Sequence, residues 1–285
     1  MKNKNPGTWL FMALMALCLS ACVNLKSVTD YSTAASAGIK NYEEIDYTFS
    51  QHCYERCQFE AIRNFEVKKE SDCDCETYQK ADSVTLLIYN AIKGYFDGLI
   101  NLSANELTDY SFDALQTSLT EGNFGKIKIE KEHVEAYGTI SKILLKATTD
   151  LYRKKKLKVY IEEANEPLQL LLNKFQFIIQ NNLEGELSFK KEKLYVYYKE
   201  MSLSTTLTDY EKGKGIIDYY RQLSEIDAKQ KQIDAYAKSI KIIAEGHQKL
   251  FDNRNKMTIK ELQELLSSYT SNIKDIISEF KKLKK

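Results

Sequence analysis

Proline is almost missing from this chain of 285 residues, which has only Pro6 near its start and Pro167 in its body. Glycine is sparse as well, at 11. Folds built from many short strands need frequent turns, and turns draw on both residues, so an all-β architecture is disfavoured. Long helices need neither. Histidine is rarer still: His52, His133 and His247 are scattered, and none has a second histidine or a cysteine three or four residues away. There is no phosphate-binding loop, no dinucleotide glycine fingerprint, no Gly-x-Ser-x-Gly and no His-Glu-x-x-His. No catalytic residue, cofactor or metal is therefore assigned. A surplus of one charge is also lacking, with 41 basic residues against 40 acidic. Nucleic acid needs a clustered basic excess, so it is not an expected partner. The basic runs at 153–156 and 281–285 read as solvated helix surface, as do Glu162-Glu163 and the pair Glu184 and Glu186.

Long apolar stretches are confined to the first residues. Lys2 and Lys4 precede an apolar core at residues 9–17, too short for a comfortable membrane span of about 20 residues. It ends in Leu19-Ser20-Ala21-Cys22, which resembles the lipobox of bacterial lipoproteins. The resemblance covers the leader alone. It implies that residues 1–21 are a signal peptide and are removed, and that Cys22 is lipidated and becomes the N-terminus. More than one acyl chain on that cysteine suffices for stable anchoring without a spanning helix. Val23 rather than an aspartate follows, which favours the outer membrane over the inner one as the address within the cell envelope. Loss of Lys2 and Lys4 leaves 39 basic against 40 acidic residues.

Six cysteines are present, and Cys18 and Cys22 belong to this leader region. The remaining four are Cys53, Cys57, Cys73 and Cys75. Cys53 and Cys57 share one side of a helical segment, and Cys73 and Cys75 share one side of an extended stretch. An exported chain meets oxidising conditions, so disulfides are expected. Nested bridges, Cys57 to Cys73 inside Cys53 to Cys75, would staple a helical hairpin, but four cysteines allow three connectivities. A four-thiolate metal site with His52 nearby is the competing reading; one intervening residue in the second pair is tighter than zinc usually takes.

The body reads as helix. Ala35, Ile39, Tyr42, Ile45 and Phe49 recur at steps of three and four, predicting one helix that runs from about residue 29 to Phe65. A second stripe runs from Val84 to Leu102. Ser103-x-x-Glu106 has the form of a capping box for a short helix, and Gly122, Asn123 and Gly125 mark a loop. Helix resumes near Glu130 and is expected to break or kink at Pro167, with Asn165 as the cap. It then continues through Leu168, Ile179, Leu183, Leu194, Tyr197 and Met201. Thr208-x-x-Glu211 opens a very long helix whose stripe runs from Ile216 and Tyr220 to His247 and Phe251. A Thr258-x-x-Glu261 box then starts the last helix, with Leu262, Leu266, Tyr269, Ile273, Ile276, Phe280 and Leu283 in register.

The expected fold is all-α: an elongated antiparallel helical bundle with long coiled-coil-like helices. Residues 22–28 form a lipidated tether and 29–285 a single domain, with a stapled hairpin at 40–103 and a second hairpin at 208–285. The function this suggests is a non-enzymatic, membrane-tethered interaction or structural module that contacts another envelope protein. Two other readings stand beside it: a lipoprotein holding a small hydrophobic ligand between helices, and a toxin-immunity or defence lipoprotein.

Overall fold

The computed structural model describes residues 25–104, 117–149, 153–255 and 260–283. The leader, Cys22 and Glu106 of the 103–106 capping box lie outside them, as does Thr258. Eight α-helices and one two-stranded hairpin make up the described residues: α1 (Lys26–Lys40), α2 (Phe49–Arg63), α3 (Glu76–Ala104), β1 (Gly122–Phe124), β2 (Ile127–Ile129), α4 (Lys131–Thr149), α5 (Arg153–Phe177), α6 (Glu184–Leu203), α7 (Asp209–Asp252) and α8 (Lys260–Leu283). The protein is an all-α bundle, and none of these helices is long and apolar enough to cross a membrane.

The chain enters the fold early. Helix α1 begins at Lys26, and Leu25 and Val28 are already buried, so residues 25–28 belong to the fold and not to the tether expected there. Val28, Tyr31, Ala35 and Ile39 form the inward face of α1, which packs on α3, α7 and α8. Gly38 permits that approach; a Cβ there would meet Ile243 at 2.9 Å.

One predicted helix is two. Helix α1 gives way to a 3-10 turn at Asn41–Glu44, and α2 starts afresh at Phe49 behind its cap Thr48, whose side chain accepts the Gln51 N–H. The break is held from a distance. The Asp82 carboxylate on α3 accepts the backbone N–H groups of Phe49 and Ser50, each at 2.9 Å. These first-turn donors have no partner within the helix, so a carboxylate there stabilises the helix start.

The expected break at Pro167 does not occur. Helix α5 runs through it, and a π-helical turn at Ile178–Leu183 joins α5 to α6 without interruption. A proline inside a helix costs up to about 3 kcal/mol. Here Ile161, Ala164, Leu168, Leu171, Leu172 and Phe175 are fully buried on both sides of Pro167, and that burial outweighs the lost hydrogen bond. Asn165 is not a cap but a buried member of the core.

The predicted loop at 122–125 is a tight antiparallel hairpin in which Gly122 faces Ile129 and Phe124 faces Ile127. Gly125 takes a left-handed φ of 60°, the conformation its turn requires. Buried Ile127 and Ile129 fix the hairpin on the helices. Ser103, read as a cap, is interior to α3, where its hydroxyl donates to the Leu99 carbonyl at 2.8 Å.

Helix α7 has 44 residues, about 66 Å at 1.5 Å per residue, and it organises the molecule. Thr208 and Glu211 form the capping box read from the sequence. The second half of α7 packs against α1, α5 and α8, whereas its first half pairs with α6. The stripe of α8 is buried as expected at Leu262, Leu266, Ile273 and Phe280.

Candidate functional site

The two ends of α7 are built differently, and polar chemistry is buried beside its closed end and beside its middle. At the closed end, His247 is completely buried. Its Nε2 lies 2.7 Å from the Tyr95 hydroxyl and its Nδ1 3.0 Å from Asn165 Oδ1, while Asn165 Nδ2 donates to Gln248 Oε1 at 3.0 Å. A neutral imidazole that accepts from Tyr95 and donates to Asn165 satisfies every one of these atoms. Burial pushes the His247 pKa down to about 3. This is a core histidine, as its place on the apolar stripe predicted.

A second buried histidine lies beside the middle of α7, near where Gln230 reaches Glu184 of α6. His52 on α2 is 2% exposed. Its Nδ1 and the Tyr47 hydroxyl share a hydrogen bond of 2.9 Å. Its Nε2 lies 3.1 Å from Glu186 Oε2 on α6, at the distance of a hydrogen bond but without its alignment. The other Glu186 oxygen is 3.2 Å from Lys126 Nζ, in the turn of the β-hairpin. The Lys126 carbonyl accepts from Asn182 Nδ2 at 3.2 Å, which ties the hairpin to the π-helical turn. Burial lowers the His52 pKa, against the pull of Glu186, and burial likewise raises that of Tyr47. Sequence reading treated Glu186 as solvated surface; it is buried. The signal was present: Glu186 lies three residues after Leu183 and seven after Ile179, on the inward face of the helix.

The four cysteines are joined as nested disulfides, Cys53 to Cys75 and Cys57 to Cys73, with Cα–Cα distances of 5.8 and 6.0 Å. This is one of the three connectivities open at the sequence level, and it leaves no thiolates for the competing metal site. The bridges fasten α2 to the chain that leads into α3. Glu130, Glu132 and His133 gather within 4.8 Å of one another at the start of α4. There His133 Nδ1 accepts the Glu130 N–H, and Glu130 pairs with Lys128 at 2.6 Å, so the group serves as a helix start.

Beside His52 a cleft of about 350 Å³ opens between α2 and α6. Phe59, Ile62, Phe189 and Leu194 supply its apolar lining, and Arg56, Arg63, Lys190 and Lys193 its cations. Glu55 and Glu60 are the two acids on it, and Glu55 is held by Lys190 at 2.7 Å.

Past the cleft, the molecule ends in exposed apolar side chains. Phe65 and Val67 after α2 are fully exposed, and Leu203, Tyr210, Ile217 and Tyr220 on the α6–α7 hairpin are largely so. Ring contact between Phe59 and Tyr197 and the 3.8 Å approach of Arg63 to Glu200 hold the end of α2 beside α6. Phe65 also adopts a left-handed φ of 58°, an uncommon conformation for a bulky side chain. Ile216 and Tyr220, expected to face inward, are among the exposed residues.

No family model, curated protein or solved structure matches the chain. Its function must be argued from these two ends.

Proposed function

We propose that this protein is a membrane-tethered envelope lipoprotein whose helical body is a non-enzymatic interaction module, with its partner bound at the end remote from the lipid. The lipobox ending at Cys22 supplies the tether. Buried Leu25 is the third residue after Cys22, a reach of about 10 Å. Helix α1 therefore starts close to the anchor, and Tyr31 on it touches Gly246 of α7. Tyr210 lies 36 residues away on the same helix, about 54 Å at 1.5 Å per residue. The carrying observation is this separation: the exposed apolar residues lie at the end of the rod opposite the proposed lipid. Exposed apolar clusters of this kind mark interaction surfaces.

Photo-crosslinking from single positions in the native envelope tests the reading. Probes at Phe65 and Tyr220 should give one shared adduct, a probe at Lys274 should give none, and Cys22→Ser should abolish the adduct by releasing the protein from the membrane. Adducts from Lys274 alone, or an unlipidated N-terminus in mass spectra, would overturn it.

A second reading is favoured by one observation, the cleft beside α6. Its volume and apolar lining fall in the range of small-ligand sites, which supports a lipoprotein that carries a hydrophobic molecule between helices.

A further inference from the structure

The cations of the cleft take this second reading a step further, on the cleft alone and without the tether. Four basic residues line it against two acidic ones, and they are not equivalent. Lys190 is neutralised by Glu55 at 2.7 Å, and Arg63 reaches Glu200 at 3.8 Å. Arg56 and Lys193 are different. Arg56 on α2 lies 5.5 Å from the centre of the Tyr78 ring and donates to its hydroxyl at 3.2 Å. Lys193 on α6 lies 5.3 Å from the centre of the Phe189 ring. Among the described residues, no carboxylate is within ion-pair distance of either. Aromatic rings thus hold both charges beside an apolar floor without cancelling them, one on each helix.

We infer that the cleft binds an anionic amphiphile, with its hydrocarbon part on Phe59, Phe189 and Leu194 and its acid group between Arg56 and Lys193. The planar guanidinium suits two-point contact with carboxylate or phosphate, and the ammonium adds a point charge. A neutral apolar molecule would leave both cations unanswered. The acid group could come from a fatty-acid carboxylate or from a phospholipid headgroup, and both have this chemistry.

Isothermal titration of the purified protein distinguishes these cases, using dodecanoate, dihexanoyl phosphatidylglycerol and dodecyl maltoside as probes. At least one anionic probe should bind saturably, about tenfold or more tightly than the maltoside, and the better anion identifies the source. The double variant R56Q/K193Q should lose about tenfold in affinity for that anion and keep its affinity for the maltoside. Its circular dichroism should be unchanged, since both side chains are exposed. K199Q, beside Tyr195 and outside the cleft lining, should bind like the parent. Equal binding of neutral and anionic probes would overturn the inference and leave the ligand reading standing. Absence of saturable binding by all three would overturn both.

Discussion

The two ends of α7 use the same tyrosine-rich composition to opposite effect. In the closed half Tyr31, Tyr95 and Tyr236 are buried and each has a fixed partner. Tyr31 donates to the Ile243 carbonyl at 2.6 Å and Tyr236 to the Ile39 carbonyl at 2.9 Å. Tyr236 also contacts Tyr42, Phe175 and Phe280. In the open half Tyr195, Tyr210 and Tyr220 are exposed, and the rings of Tyr198 and Tyr219 meet at a tilt, 5.8 Å apart, while only partly covered. The same side chain therefore contributes stability where three helices surround it, and offers surface where only two meet. Periodicity is alike in both halves. What differs is how many neighbours the helix has.

The sharpest way to break this comparison is to remove one ring from each half. Tyr236→Ala should cost about 3–5 kcal/mol in denaturant unfolding, as large-to-small changes in packed cores do. Tyr220→Ala should change stability by less than about 0.5 kcal/mol while weakening crosslinking at the tip. Comparable losses in the two variants would show that the open half is as cooperative as the closed one.

The open half has its own stabilisation in the nested bridges. The outer one, Cys53 to Cys75, closes a loop with a sequence separation of 22. Its removal in the Cys53→Ser/Cys75→Ser variant should cost about 3 kcal/mol. Hydrogen exchange should show the loss first in α2, with the core around His247 still protected. Uniform loss of protection would argue that the two halves unfold together.

Much of this architecture was legible because its causes are local. The stripe on α8 and the capping box at Thr208 predict what is found, and the spacing of the four cysteines allows the nested pairing as one of three. The failures have distant causes. The stripe from Ala35 to Phe49 is helical throughout, yet the helix breaks at Thr48 because Asp82, 33 residues beyond Phe49, accepts the first N–H groups of α2. Pro167 is a local breaker overruled by packing on both sides. Glu186 was misread by its residue type, when its register was the better guide. The exposure of Ile216 and Tyr220 could not be read from α7 at all, because it follows from α8 covering only one half of that helix.

Acid sharpens the contrast more gently. The His247 imidazole stays neutral in the fold down to about 3, against 6.5 as its ordinary value in an unfolded chain. The unfolded state therefore binds the proton first as pH falls. Stability from this group is full above about 6.5 and is lost between there and about 3, at up to about 1.4 kcal/mol per pH unit. His247→Gln should flatten that slope in unfolding measured from pH 7 to 4. Some slope should persist, because burial also lowers the pKa of His52 and His133. An unchanged slope would mean that His247 is already protonated in the fold.

The smallest effect is the most discriminating, because one substitution should change sign along one helix. Gly246 lies in the closed half, and a Cβ there would fall 2.5 Å from the Tyr31 ring. Gly246→Ala must push that ring away and strain its bond to the Ile243 carbonyl, at a cost of at least about 1 kcal/mol. Gly213 lies in the open half of the same helix, where an added Cβ meets nothing within 4 Å. Gly213→Ala should only restrict the unfolded chain and favour the helix, a gain of about 0.5–1 kcal/mol. Denaturation midpoints that move in opposite directions would show that α7 is one helix in two environments. If both fall, something covers Gly213 in solution, and the tip is not the open surface that the proposed function needs.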